Sequence, residues 1–295
     1  MEILNGRKYR KELLEKYKEK IEKEKLSIEL HIIFIGDDLA SELYVGNKVK
    51  YSTQVGIKVE VHRLLETVTE KEVIDLIEKL NKDEKVTGII LQSPIPKHIN
   101  FYKCVSMINS SKDVDGITKD NIFALYQNKE RVLPCTVKGI IMLLEHYDID
   151  FEGKNVVIIG RSEIVGKPLA LALTNRNATV TLCHSKTQDL RLKTKEADIL
   201  ISAVGKAKFV TKNMVKAGFI GVDVGINDNN GQLCGDFDYD NIKDYASFIT
   251  PVPGGIGPMT ISMIIDNLIE LKRTEEENGQ NAKKRIIKRN AKTTK

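Results

Sequence analysis

The sequence predicts an α/β fold in two domains flanking a cleft, an N-terminal three-layer α/β domain followed by a Rossmann-type domain. Three observations carry this. At 295 residues the chain is longer than a single compact core ordinarily serves. Runs with strand and helix patterning alternate along most of it, which favours a parallel sheet. A glycine-bearing turn, Gly160 to Gly166, follows one strand-like run and opens a helical one.

Residues 8–25 set Leu13, Leu14, Tyr17 and Ile21 in one stripe among dense Lys and Glu, the pattern of a surface helix. A β-rich run, 30–35, closes on Gly36, and helical patterning returns over 41–54 before Gly56. The alternation continues with a strand at 58–64, a helix at 70–80 (Val73, Ile74, Ile77, Leu80) and a strand at 87–92. After a helix at 138–146 a second series begins. It has strands at 155–159, 178–183, 199–203, 221–224 and 247–249, with a helix around 167–174. The last helical pattern, 259–272, follows a Pro/Gly segment and is expected to fold back on the first domain. The domains are therefore expected at 1–137, completed by 259–275, and at 138–258, with a disordered basic tail at 276–295.

An apolar share of 41% with 29% charged residues is that of a soluble globular chain. No run is long enough to span a membrane and the start is charged, so a cytoplasmic protein with no membrane partner is expected. Cys104, Cys135, Cys183 and Cys234 lie far apart without zinc-ligand spacing, which predicts four reduced thiols and no metal. The net charge of +5 resides in the tail: 283–295 carries seven cations and no acid, and without them the body is near −2. A solvated tail accounts for this without a nucleic-acid partner.

Gly160-Arg161-Ser162-Glu163-Ile164-Val165-Gly166 has the physics of a dinucleotide turn, in which Gly160 allows close backbone approach and the following helix N-terminus faces a pyrophosphate. The spelling is not G-x-G-x-x-G, and such turns also occur without a ligand. In NAD enzymes an acid about 20 residues on binds the ribose 2′-hydroxyl. Here the second strand runs into His184 and Ser185 instead. Ser185 can donate to a 2′-phosphate and Arg161 can pair with it, which favours NADP over NAD. His184 reads more simply as a packed or capping imidazole.

In the first domain, Tyr44 and Lys48 share one helix face at i and i+4, which a surface pair also explains. Gln92 ends a strand and precedes Ser93-Pro94, where ligands of open α/β sheets bind. Asp113 and Asp115 sit in one turn, where turn chemistry is the plainer account.

Together these motifs resemble the methylenetetrahydrofolate dehydrogenase/cyclohydrolase family. Residues 41–50, Lys112 to Gly116, Pro134-Cys135-Thr136, 160–166, 178–185 and Pro251 to Thr260 match its motifs in order. The resemblance implies a catalytic Lys48, a Gln92 that tunes it, a Tyr44 beside the folate and an Asp115 that holds the pterin. It also implies cofactor contacts at Gly160, Arg161, Ser162 and Ser185, Ile226 near the nicotinamide, and Pro258 in a loop lining the cleft. Ser93 and Val137 depart from the family's Gln-Leu-Pro and Pro-Cys-Thr-Pro spellings. The implied activity is NADP-linked oxidation of 5,10-methylenetetrahydrofolate to the methenyl form and hydrolysis to 10-formyltetrahydrofolate. Lys48 would take the water's proton where burial favours its neutral amine. A cytoplasmic homodimer acting in one-carbon metabolism and purine biosynthesis is expected, with tetrahydrofolate derivatives as its partners. The rival readings are a dehydrogenase alone, or a Rossmann dehydrogenase of some other small substrate.

Overall fold

The computed structural model describes residues 1–293 apart from Asn230, without the side chains of Ala40 and of 279–293. Its first half contains β1 (Glu2–Ile3), α1 (Gly6–Glu24), β2 (Glu29–Ile35), α2 (Leu39–Gln54), β3 (Lys58–Leu64), α3 (Glu70–Lys82), β4 (Gly88–Leu91), α4 (Phe101–Val105), α5 (Lys119–Tyr126) and α6 (Cys135–His146). There follow β5 (Asn155–Ile159), α7 (Gly166–Thr174), β6 (Thr179–Cys183), α8 (Leu190–Lys195), β7 (Ile199–Ser202) and β8 (Phe219–Asp223). The chain continues through β9 (Asn227–Asn229), β10 (Gln232–Cys234), α9 (Tyr239–Ile242), β11 (Ala246–Ile249) and α10 (Ile256–Thr293). The tail expected to be disordered at 276–295 instead continues α10 as far as Thr293, and its last two residues lie outside the described residues.

The chain forms two compact units, each discontinuous in sequence: Met1–Glu15 with Asp120–Met263, and Lys16–Lys119 with Ile264–Lys295. Three stretches expected in the first domain, 1–15, 120–137 and 259–263, cluster instead with the second series of strands. Long-range pairing explains the first two. β1 pairs in parallel with β11, and Leu4 N donates to Ile249 O at 2.9 Å. Asn175, capping α7, donates through Nδ2 to the carbonyl of Leu125 in α5 at 2.8 Å. A two-residue edge strand leaves no periodicity to read.

In the unit of residues 16–119, the sheet order is β3-β2-β4, all parallel. Its central run, Ile32-Ile33-Phe34-Ile35, is wholly buried, as a parallel strand covered on both faces requires. Ile33, Ile35, Ile89 and Leu91 pack on Val73 and Ile77 of α3 and Cys104 of α4. Gly88 faces the other way, where a Cβ would come within 2.5 Å of Leu268 in α10. Helix, sheet and helix therefore form three layers. α3 begins on a capping box, with Thr69 Oγ1 accepting from Glu72 N at 3.2 Å and Glu72 Oε2 from Thr69 N at 2.8 Å. Glu70 and Glu72 in its first turn and Lys79 and Lys82 in its last complement the helix dipole.

The other unit holds a six-stranded sheet of order β6-β5-β7-β8-β11-β1, parallel throughout, with β9 and β10 as a separate antiparallel hairpin. The chain reverses direction of growth between β5 and β7. In a doubly wound sheet this switch point opens a crevice at the strands' C-terminal ends. All four cysteines are free thiols. No helix is long and apolar enough to cross a membrane among the described residues.

Asn267, fully buried in α10, donates through Nδ2 to the carbonyl of Val114 at 2.9 Å and so ties the helix to the Asp113–Asp115 turn. Asn267→Ala should lower the unfolding free energy by about 1–3 kcal/mol in a denaturant titration, the cost of stripping a buried hydrogen bond. A loss below about 0.5 kcal/mol would make that bond dispensable.

Candidate active site

In the three-stranded unit the site begins on α2. Asp38 caps the helix, its carboxylate accepting from Ser41 N at 2.8 Å, and the i, i+4 spacing brings Tyr44 and Lys48 onto one face. Lys48 Nζ donates to Gln92 Oε1 at 2.8 Å, which joins α2 to the chain leaving β4. Gln92 is 8% exposed, and its own N–H donates to Ile33 O at 2.9 Å, continuing the ladder one residue past the strand. The side-chain amide donates through Nε2 to Ser93 O at 2.6 Å. With its Nε2 held by the Ser93 carbonyl, the glutamine is locked with its oxygen towards the Lys48 donor. The group holding Gln92 is the backbone carbonyl of Ser93, which any residue there would supply. Tyr44 is 38% exposed, and partial burial pushes its phenol above the ordinary value, so it is a neutral hydroxyl at pH 7.

The two carboxylates of the 113–115 turn divide their work. Asp113, 1% exposed, accepts from Gly116 N at 2.9 Å and Thr118 N at 2.7 Å and thereby builds the turn. Lys112 caps α3, donating to Leu80 O at 3.0 Å and Asp83 O at 2.6 Å. Asp115 is half-exposed on the same turn. Asp113 thus braces the turn that carries Asp115.

In the six-stranded unit a cavity of about 490 Å³ opens at the β5/β7 switch point. Gly160 and Arg161 border it from the end of β5, His184 and Ser185 from the end of β6, and Val204 and Lys206 from beyond β7. Gly160 has φ +115°, and a Cβ there would lie 2.4 Å from Ala203 O; one on Gly166 would lie 2.0 Å from Gly160 O. The turn closes only with glycine at both places. Ser162 Oγ accepts from Val165 N at 3.2 Å and Gly166 N at 3.4 Å, so the hydroxyl caps the start of α7 while its proton remains a donor. His184 does what a capping imidazole does, its Nδ1 accepting from Lys186 N at 3.1 Å, and it also lines the cavity. The cavity lining contains Arg161 and Lys206 and no carboxylate. These groups fit a phosphate-rich dinucleotide, and the want of an acid after β6 suits a 2′-phosphate. In the same unit Ile226 is 45% exposed, and a Cβ on Gly257, beside the half-buried Pro258, would approach its Cδ1 to 3.7 Å. Val137 is fully buried in α6 and serves the core.

Sequence reasoning missed the groups that hold this cavity's rim. Asp236 has no exposed surface, and its carboxylate accepts from Ser202 Oγ at 2.9 Å, Val204 N at 2.8 Å, Lys206 N at 2.8 Å and Asn227 Nδ2 at 3.1 Å. Asp223, at the end of β8, accepts from Gly225 N, Asp236 N and Phe237 N at 3.0, 2.9 and 2.8 Å. Burial pushes the Asp223 carboxyl up to about 7; the neighbouring Asp236 adds to the rise and the backbone donors oppose it. Position at a strand end was the one available signal for Asp223 and Lys206, and Asp236 had none.

A doubly wound unit with a phosphate-compatible crevice, accompanied by a parallel α/β unit presenting a lysine–glutamine pair, defines a dinucleotide-dependent enzyme. Residues 4–115 match the tetrahydrofolate dehydrogenase/cyclohydrolase catalytic domain, and residues 134–276 match the NAD(P)-binding domain of the same name. The chain belongs to the tetrahydrofolate dehydrogenase/cyclohydrolase family. It is 46% identical over 273 residues to the bifunctional protein FolD of Listeria innocua, covering 91% of this chain and 96% of that one. The crystal structure of the bifunctional enzyme FolD from Campylobacter jejuni superposes with a TM-score of 0.91 at 43% identity, covering 93% and 99% of the two chains. The Trypanosoma brucei dehydrogenase-cyclohydrolase, solved with NADP cofactor and inhibitor, gives 0.88 at 30% identity over 92% and 97%.

Asp223 gives this unit a pH dependence of known sign. Its carboxyl holds a proton in the folded state up to about pH 7, whereas the unfolded group loses it near 3.8, so the folded state binds more protons between those values. The contribution of Asp223 to stability is therefore largest below about pH 4 and declines as pH rises through 7. The stability difference between wild type and Asp223→Asn should shrink across that window in thermal melts. A difference that grows with pH would reverse the assignment.

Proposed function

We propose that this protein oxidises 5,10-methylenetetrahydrofolate with NADP and hydrolyses the methenyl product to 10-formyltetrahydrofolate, with Lys48 as the general base of the second step. The observation that carries the reading is the 2.8 Å bond from Lys48 to a glutamine oxygen locked in orientation by its own backbone. NADP, when bound, supplies the hydride acceptor for the first step. Removing hydride from the methylene carbon leaves a cation stabilised by the two folate nitrogens, and this step asks the protein for alignment alone. Tyr44 offers a ring and a neutral hydroxyl to the folate, and Asp115 a carboxylate to the N–H donors of the pterin.

Water then adds to the methenyl carbon, and its proton needs an acceptor. Lys48 donates one N–H to Gln92 Oε1, and its amine is the group that takes that proton. That proton is returned to N5 as its bond to the former methenyl carbon breaks, and the proton left on the added hydroxyl passes to solvent as the C=O forms, leaving the formyl group on N10 with a net release of one proton. On the cofactor side, Arg161 and Ser185 receive the 2′-phosphate, Gly160 and Ser162 lie at the pyrophosphate turn, and Ile226 and Pro258 offer apolar surface near the nicotinamide. The same proposal extends to a cytoplasmic homodimer whose product, an activated formyl group, feeds purine biosynthesis.

Replacing Lys48 with Met keeps the stem and removes the amine. Cyclohydrolase activity should fall by about 10²–10⁴, the usual worth of a general base, while dehydrogenase activity falls less. Methenyl absorbance should then accumulate when methylenetetrahydrofolate and NADP are mixed with the variant. Hydrolysis of methenyltetrahydrofolate at the wild-type rate would exclude Lys48 as the base. On the cofactor side, Arg161→Ala deletes a charge-assisted contact worth about 1.5–3 kcal/mol, which should raise KM for NADP about tenfold or more and leave KM for NAD nearly unchanged. Equal rises for both cofactors would remove Arg161 from the 2′-phosphate pocket.

A further inference from the structure

Away from both sites, the edge strand β3 and the central strand β2 carry a cluster that the proposed reaction does not use. His31 of β2 stands in register with Glu60 of β3, and His62 follows two residues on, so all three point to the same face. This is the α3 side of the sheet, since His31 is also in register with Ile89, one of the residues packed on α3. The Lys48–Gln92 pair instead follows the C-terminal end of β4.

His31 Nδ1 and His62 Nε2 lie 2.7 Å apart, the rings nearly coplanar at 21° with centroids 5.0 Å apart. Glu60 Oε1 is 3.7 Å from the same His62 nitrogen, and one ligand atom from each of the three residues falls within a common 4.8 Å. His31 is 4% exposed, while the side chain of Glu60 is 52% exposed and keeps the cluster open to solvent.

The tautomer of His31 follows from its other partner. His31 Nε2 faces Glu29 Oε1 at 3.1 Å, and a carboxylate oxygen only accepts, so Nε2 carries the hydrogen. In the neutral ring the lone pair is then on Nδ1, facing His62 and Glu60. Lys58 Nζ, 2.8 Å from the same oxygen, holds Glu29 in place. A carboxylate behind the distal nitrogen of a histidine, with the proximal lone pair turned into a cluster of ligand atoms, is the outer-shell arrangement of metal-binding histidines.

The geometry points to a binding site for a late first-row divalent cation such as Zn²⁺, held by His31 Nδ1, His62 Nε2 and a Glu60 carboxylate oxygen, with water in the fourth position. Two imidazoles and one carboxylate suit zinc and its neighbours rather than magnesium or calcium. In the metal-free cluster His62 Nε2–H donates to His31 Nδ1. On binding, neutral His62 carries its proton on Nδ1 instead, exchanged through solvent, so no net proton is released. Zn–N bonds of about 2.0–2.1 Å in a tetrahedron set the two nitrogens about 3.3 Å apart. His62, half-buried on an edge strand, tilts to provide that opening. The bound ion clasps β3 to β2, adding a tie at an otherwise exposed sheet edge.

The test uses the full chain stripped of metal with chelator and titrated with Zn²⁺ and Co²⁺, beside Glu60→Gln and His62→Asn. Both variants lie outside the catalytic and cofactor sites and should keep wild-type dehydrogenase activity, which also reports folding. Wild type should bind one ion per chain, show a Co²⁺ d–d spectrum without an intense thiolate charge-transfer band, and melt at a higher temperature with Zn²⁺. Each variant should bind at least tenfold more weakly and lose the Zn²⁺-dependent rise in Tm. Absence of saturable one-to-one binding, a thiolate band, or affinity unchanged in the exposed Glu60→Gln variant would overturn the site.

Discussion

The cofactor side of this enzyme depends on the buried carboxylate of Asp236. Its two oxygens offer four acceptor sites, and all are taken by donors from the segments that leave β7 and β8. Those segments leave the sheet ladder where backbone N–H groups lose their strand partners. Each such donor, if buried unpaired, would cost about 1–3 kcal/mol. One side chain satisfies two backbone donors and two side-chain donors, and in doing so draws Val204 and Lys206 to the rim of the dinucleotide cavity. Asp223 works alongside it, taking the N–H groups of Asp236 and Phe237 and so holding the segment that delivers Asp236.

The folate-side unit solves a similar problem with fewer groups. Gln92 lies one residue beyond β4, where the ladder gives way to loop, and its backbone still pairs with Ile33. That last bond anchors the residue, and the Ser93 carbonyl then fixes which end of the amide meets Lys48. Nearby, Asp113 takes the N–H groups of Gly116 and Thr118 and α10 takes the Val114 carbonyl, so the turn that carries Asp115 is braced from two sides. Both sites share a logic in which polar side chains at strand ends complete backbone pairing, and reactive groups are mounted on the loops thus stiffened.

Much of the framework was legible in order along the chain. The strands at 30–35, 58–64 and 155–159 correspond to β2, β3 and β5 within a residue, because the apolar β-branched runs of β2 and β5 state their burial locally and β3 alternates apolar with polar residues. The helices at 70–80 and 167–174 were likewise marked by apolar spacing. The spacing of Tyr44 and Lys48 put them on one face before any fold was known, and the lack of an acid at Ser185 spoke for NADP. Other features left no local mark. The edge strand β1 is two residues long, and its partner is β11, far along the chain. The His31–His62 contact becomes readable only once the register of β2 and β3 is known.

The sequence by itself determined the main strands and helices of both series and the family, since periodicity, turn residues and motif spelling act over a few residues. Tertiary structure alone decided that Asp113 braces its turn, which carbonyl orients Gln92, where residues 1–15, 120–137 and 259–263 belong, and that Asp236 holds the cavity's rim. These are matters of long-range hydrogen-bond satisfaction. Ser202 and Asp236 meet across 34 residues, and Val114 and Asn267 across 153, because buried polar groups need partners, and that requirement appears only when the chain has closed on itself.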